Sequence, residues 1–156
     1  MKIMDFLCEK AVSADLKSMD KKGVIDELVD LLVKAGKIKD KDKQKIIEII
    51  LNRESLGSTG IGQGIAIPHG KCDCVKELTG AIGISKRGIN FDALDGEPVY
   101  IFFLLIAPED SAGPHLKALA RISRLLRDKY LRDSLIKAED EKKILSIIKE
   151  EDQKKF

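Results

Sequence analysis

The sequence has no tryptophan, two tyrosines and five phenylalanines, so aromatics make up only 4% of its residues. Proteins that hold nucleic acid concentrate basic charge on one face, and those that grip single strands stack bases on aromatic platforms. Here the platforms are scarce and the charges nearly balance, 28 Lys+Arg against 26 Asp+Glu, for a net of +2. No nucleic-acid partner is expected. Long apolar runs are also missing. The longest, "VYIFFLLIA" from Val99 to Ala107, falls well short of the ~20 residues that a membrane-crossing helix needs. The opening "MKIMDFLCEK" holds no apolar export segment. The expectation is a cytoplasmic chain without membrane insertion. Cysteine is sparse and odd in number: Cys8, Cys72 and Cys74. Without an export signal these read as reduced thiols. Histidine is scarcer still, with only His69 and His115.

What remains is a composition of 44% hydrophobic and 35% charged residues over 156 positions. That suits one soluble globular domain spanning residues 1–156, large enough to bury a core without staples. "GVIDELVDLLVKAG" places Val24, Leu28, Leu31, Leu32 and Ala35 on one helical face, with Gly36 as a stop. "DKDKQKIIEIILNRES" repeats the pattern, with Asp40 as N-cap and Ile46, Ile47, Ile50 and Leu51 as the stripe. "GAIGIS" reads as a short strand, and "KRGINFDALDGEPV" as turn-rich. "VYIFFLLIA" lacks polar alternation and is bounded by Pro98 and Pro108, which predicts a strand buried on both faces. The next helix has Gly113 as N-cap, Pro114 at its first position, and Leu116, Leu119, Ala120, Ile122 and Leu126 facing inward. Two shorter helices follow, near Tyr130–Lys137 and Asp140–Glu150. Helices mixed with buried strands imply a three-layer α/β/α sandwich around a mixed sheet.

Between the second helix and the first strand lies "STGIGQGIAIPHGK", Ser58 to Lys71. It is not a Walker A loop. Gly64 and Gly70 stand too far apart, and Cys72 follows Lys71 where a magnesium-binding hydroxyl is needed. It is a poor zinc site as well. His69, Cys72 and Cys74 give three donors, with only His115 and Cys8 to complete them. A third chemistry is nucleophilic. A neutral imidazole can attack phosphorus and carry the group as a phosphoramidate. That requires one ring nitrogen free and the other held as N–H.

His69 is then the nucleophile, or else a turn histidine without chemistry; the local residues leave both readings open. His115 falls in the first turn of a helix, where anions are attracted and a nearby imidazole's pKa is lowered. Arg53 closes the second helix and offers a planar fork of donors to phosphate oxygens. Gly60 and Gly62 can present backbone N–H groups as a nest, and Ser58 and Thr59 can donate hydroxyls.

"RESLGSTGIGQGIAIPHGK", Arg53 to Lys71, resembles the active-site signature of the EIIA domains of the bacterial phosphoenolpyruvate-dependent phosphotransferase system, fructose/mannitol type. "FDALDGEPVYIFFLLIAPEDSAGPHLKALARISRLL" resembles the second block of that family, including the H-L-K-x-L element at His115. Blocks and intervening helices cover most of the chain. The resemblance implies an α/β/α sandwich and a phosphohistidine carrier. A phosphorylated HPr-type protein would donate to Nε2 of His69, with His115 and Arg53 lining the site. No metal or other cofactor is implied. Two branches of the family are open. In one, the group passes to a cysteine of an EIIB domain during fructose or mannitol uptake. In the other, the nitrogen-regulatory branch, phosphorylation decides which target proteins are bound. Length, the wording of both blocks and the lack of a fused EIIB segment point to the nitrogen branch. A third possibility is a non-catalytic interaction module on the same fold. Cys72 and Cys74 lie outside the family pattern.

Overall fold

The computed structural model describes residues 1–155. In chain order its elements are β1 (Leu7–Ser13), α1 (Lys21–Lys34), α2 (Lys43–Ser55), β2 (Gly60–Gly62), β3 (Ile65–Ala66), β4 (His69–Lys71), β5 (Thr79–Ile89), β6 (Val99–Ala107), α3 (Ala112–Leu125), α4 (Lys129–Lys137) and α5 (Glu141–Lys155). Six strands make one mixed sheet in the order β1-β5-β6-β3-β2, with β4 pairing β6 beyond β3. β5 and β6 run antiparallel from Thr79↔Ile106 to Ile89↔Val99. β1 is parallel to β5, and β3 and β4 are parallel to β6.

β6 is the spine, and its sequence says why. All of its residues are buried except Tyr100. Successive side chains on a strand point to opposite faces. Phe102, Leu104 and Ile106 pack with Val24, Leu28 and Leu32 of α1 and Ile46, Ile47 and Ile50 of α2. Ile101, Phe103 and Leu105 pack with Ala118 and Ile122 of α3, Leu131 and Leu135 of α4, and Ile144 and Ile148 of α5. These are two cores on either side of one sheet, the three-layer sandwich expected. Truncating Phe102 or Phe103 to Ala removes a fully buried ring and costs roughly 3–5 kcal/mol. The chain ends meet on the second face, where buried Asp152 accepts from the Ile3 N–H at 2.9 Å and Arg121 Nε at 2.9 Å.

Several boundaries differ from expectation. α1 starts at Lys21 because the Asp20 side chain accepts from the Gly23 N–H. Asp40 is not the cap of α2; Asp40–Asp42 form a 3₁₀ turn and Asp42 is the N-cap. Helices commonly tighten this way at their starts. α3 begins at Ala112 with Ser111 as N-cap, so Gly113 and Pro114 are its second and third residues. Pro114 is tolerated there because the first helical bond comes from the His115 N–H to the Ser111 carbonyl. The inward face of α3 is also rotated. His115, Ala118, Ile122 and Leu125 are buried, whereas Leu116 is 67% exposed and Ala120 also faces out. β5 outruns the expected "GAIGIS" strand, continuing past a register shift between Ile84 and Ile89.

Candidate functional site

β3 and β4 are two pieces of one line beside β6. Ala66 pairs with Phe102 and His69 with Leu105, so the offset is unchanged across the gap. The line is interrupted because Pro68 has no N–H to donate and Ile67 turns its N–H to the Thr59 carbonyl at 3.0 Å. The Ile67 carbonyl meets Nδ1 of His69 at 2.8 Å. A carbonyl can only accept, so Nδ1 carries the proton. In the neutral ring Nε2 is then a bare lone pair.

His69, His115 and Arg53 come together in a cleft of about 450 Å³, lined also by Ile49, Gly70, Lys71, Ala112, Leu116 and Leu119. The two imidazoles meet edge to face, with ring centres 5.3 Å apart. His69 is half-buried and His115 almost fully buried. Nε2 of His115 is the one buried side-chain nitrogen or oxygen among the described residues without a hydrogen-bond partner. Arg53 donates one N–H to the Gly57 carbonyl at 2.8 Å, which anchors its fork at the end of α2. Gly70 lets β4 pack closely on α2, since a Cβ there would come within 2.8 Å of the Ile49 side chain and force it to shift.

Burial holds the His69 imidazole below its usual 6.5; the Ile67 carbonyl and Glu54 pull it back upward, and Arg53 adds to the depression. Burial pushes His115 down to about 4, with His69 and Lys71 adding to the shift. Both rings are therefore neutral near pH 7.

The four expected phosphate-contacting residues do not line this cleft. Ser58 Oγ donates to the Phe91 carbonyl and accepts from the Gly60 N–H, each at 3.0 Å. Thr59 gives its N–H and its hydroxyl to buried Glu54. Lys21 completes that knot, reaching Glu54 at 3.1 Å and Asp92 at 3.4 Å while lying over the Phe91 ring. Gly60 abuts Ala93, whose Cα and Cβ would lie 2.9 and 2.8 Å from an added Cβ. Gly62 sits in β2 with φ 99° beside Asp95. These residues build the loop that carries His69.

The reduced-thiol expectation is corrected for two of the three cysteines: Cys72 and Cys74 are joined by a disulfide, and Cys8 is free. The Cys72, Asp73 and Cys74 ligand atoms lie within 4.8 Å of one another, but the S–S bond occupies both sulfurs. The H-x2-C-x-C donors thus hold no metal in this form. Leu116, Leu119 and Ile49 were missed as cleft residues; the signal for Leu116 was the one-residue shift in the phase of α3. A larger groove of about 860 Å³ between α4 and α5 contains no histidine or cysteine in its lining. No helix among the described residues is long and apolar enough to cross a membrane.

Residues 5–151 match the family model described as phosphoenolpyruvate-dependent sugar phosphotransferase system, EIIA 2. The chain is 44% identical over 153 residues to the fructose-specific EIIABC component of Bacillus subtilis, covering 98% of this chain and 24% of that protein. It is 39% identical over 148 residues to a nitrogen regulatory protein of Bradyrhizobium diazoefficiens, covering 95% of each. Among solved structures it resembles the nitrogen regulatory protein IIA-Ntr of Neisseria meningitidis, with TM-score 0.84 and 33% identity over 94% of this chain and 98% of that one. The chain belongs to the EIIA 2 family of the phosphoenolpyruvate-dependent sugar phosphotransferase system.

Proposed function

We propose that this protein is a phosphohistidine carrier, accepting a phosphoryl group from an HPr-type protein on Nε2 of His69. One observation carries the reading: the Ile67 carbonyl holds Nδ1 as N–H, so the free lone pair of a neutral ring faces a cleft shared with Arg53 and His115. In the reaction the P–Nε2 bond forms as the donor's P–N bond breaks. Positive charge building on the His69 ring is stabilised through Nδ1–H by the Ile67 carbonyl. Arg53 supplies charge-assisted donors to the phosphoryl oxygens. Buried His115 Nε2 has no partner within the protein, and as an N–H it would donate to a phosphoryl oxygen. The family's membership in a phosphotransferase system supports a carrier role, in which the group is passed on again.

The onward partner belongs to the nitrogen-regulatory branch in this reading, supported by the likeness to IIA-Ntr at TM-score 0.84. Phosphorylation would then decide which target proteins are bound. A second reading, fructose or mannitol uptake through an EIIB cysteine, draws on the 44% identity to the fructose-specific component. Incubating the phosphorylated chain with candidate EIIB domains separates them. Rapid transfer to an EIIB cysteine selects the sugar reading; retention on His69, with phosphorylation-dependent capture of a target, selects the regulatory one.

A further inference from the structure

The Cys72–Asp73–Cys74 turn begins where β4 ends. His69, Gly70 and Lys71 pair with Leu105, Ile106 and Ala107, and the Cys72 N–H continues the ladder to the Ala107 carbonyl at 2.9 Å. The two cysteine Cα atoms are 5.2 Å apart, within the span a disulfide bridges. Cys72 is fully buried in the core beneath α1 and α2, whereas Cys74 is partly exposed. A thiol or disulfide arriving from solvent therefore reaches Cys74. The residue between them, Asp73, is exposed and reaches across to a helix. Asp73 pairs with Lys45 of α2 at 2.6 Å. Lys45, Ile49 and Arg53 follow one another at four-residue spacing, which places them in one row along α2. Ile49 abuts Gly70, and both line the cleft with Arg53 and Lys71. The small disulfide ring is thus joined to one wall of the cleft through β4 and to the other through the Lys45–Asp73 pair.

We propose that Cys72 and Cys74 form a reversible dithiol–disulfide site that exchanges with low-molecular-weight disulfides through Cys74, and that its state sets the rate at which His69 accepts a phosphoryl group. The second half rests on the carrier reading above. In the oxidising direction the Cys74 thiolate attacks one sulfur of a disulfide RSSR, forming a mixed disulfide and releasing RS⁻. The Cys72 thiol then loses its proton and attacks the Cys74 sulfur, forming the Cys72–Cys74 bond and releasing a second RS⁻. The protein dithiol gives two electrons to RSSR, which leaves as two RSH. With the ring closed, the backbone leaving Lys71 is fixed and Asp73 is held for Lys45. With the ring open, that segment regains its freedom, and the positions of Lys71 and Ile49 at the cleft loosen. Slowing on the order of three- to tenfold is expected, below the 10²-fold that a 1 Å misplacement can cost. The same three ligand atoms would suit a soft metal only after reduction; the bond present in the structure favours the redox reading.

The test uses the full chain carrying Cys8→Ser, equilibrated in buffers of reduced and oxidised glutathione; one portion is unfolded, alkylated and weighed intact, and the rest is kept folded and unalkylated. Each form is then mixed with purified phosphorylated HPr, and its ¹H–¹⁵N spectrum recorded. The expected result is a reversible change between two labels and none. The oxidised form should be phosphorylated three- to tenfold faster, with the Ile49, Gly70 and Lys71 signals moved between forms. Cys74→Ser, which spares the buried Cys72, should show the slow rate in every buffer. Two labels at every glutathione ratio overturn the proposal, as do equal rates with superimposable spectra. If neither form is phosphorylated while the thiols switch and those signals move, the carrier reading fails and the coupling of the cysteine pair to the cleft stands. If Cys74→Ser does not fold, the two redox forms of the parent chain decide the matter alone.

Discussion

Replacing His115 with Ala separates chemistry from folding because its two contributions to stability oppose one another, whereas nothing offsets its contribution to transfer. The His115 ring is almost fully buried, and its Nε2 has no hydrogen-bond partner. An unsatisfied buried polar atom costs about 1–3 kcal/mol. Losing the ring's apolar contacts costs a similar amount, on the order of 1–2 kcal/mol. The two nearly cancel, so the variant should keep its stability to within about 1 kcal/mol. The transition state has no such compensation. A hydrogen bond to a charged phosphoryl oxygen contributes about 1.5–3 kcal/mol, which is roughly a 10- to 100-fold slower transfer. The assay is a single-turnover reaction with purified phosphorylated HPr, followed by intact mass, beside a thermal melt. His115→Gln, whose amide N–H reaches toward the same position, should recover most of the rate. A folded His115→Ala chain reacting within twofold of the parent would remove His115 from the mechanism. A large drop in melting temperature would show that the ring acts through packing instead.

Other consequences follow from the same site. His115 has a folded pKa of about 4 against an ordinary 6.5, so below pH 6.5 the unfolded chain takes up a proton that the native one refuses. This contribution, on the order of 3 kcal/mol, is fully present above pH 6.5 and is lost as pH falls toward 4. Urea titrations from pH 7 to 4 should show a shallower loss in His115→Gln than in the parent; parallel curves would contradict the shift. Because burial lowers the His69 pKa, the rate of phosphorylation should hold steady as pH falls to 6.5. A midpoint above 6.5 assigned to His69 by NMR would contradict the geometry. Glu54→Gln leaves Lys21 with exposed Asp92 but without its buried charged partner, and should destabilise by about 1–3 kcal/mol. It should also lower the His69 pKa further, since the Glu54 charge raises it; an unchanged NMR titration would refute that coupling. Gly60→Ala drives a Cβ into Ala93 and should cost about 1–3 kcal/mol. Its folded fraction should still accept the phosphoryl group; loss of transfer at full stability would make Gly60 a phosphate contact.

The parts legible in sequence were those dictated by local pattern. The unalternating run Val99–Ala107 announced a strand buried on both faces, and it is the spine of the sheet. The stripe Ile46, Ile47 and Ile50 marked the inner side of α2. The run Ser58–Lys71 left His69 open between nucleophile and turn histidine until its resemblance to a family signature was weighed, and the chain's only other histidine proved to face it. What stayed hidden depended on partners distant in sequence. β2, β3 and β4 are two or three residues long and exist because β6 and each other supply their bonds. Pattern within the segment could not reveal them. Ser58, Thr59 and Gly60 looked like phosphate donors because their groups were free in the sequence; folding assigns them to the Phe91 carbonyl, the Glu54 carboxylate and the Ser58 hydroxyl. The phase of α3 was misplaced by one residue because Leu116 was assumed to be core, whereas buried His115 takes the inward position and Leu116 lines the cleft. Pairing of Cys72 with Cys74 needed a turn geometry that spacing alone does not specify.

The most direct test is the mass of the intact chain after incubation with phosphoenolpyruvate, enzyme I and HPr, beside a His69→Ala control. The account predicts the gain of one acid-labile phosphoryl group in the parent chain and none in the control. No gain with a cognate donor shown to be active, or equal gain in the control, would contradict it.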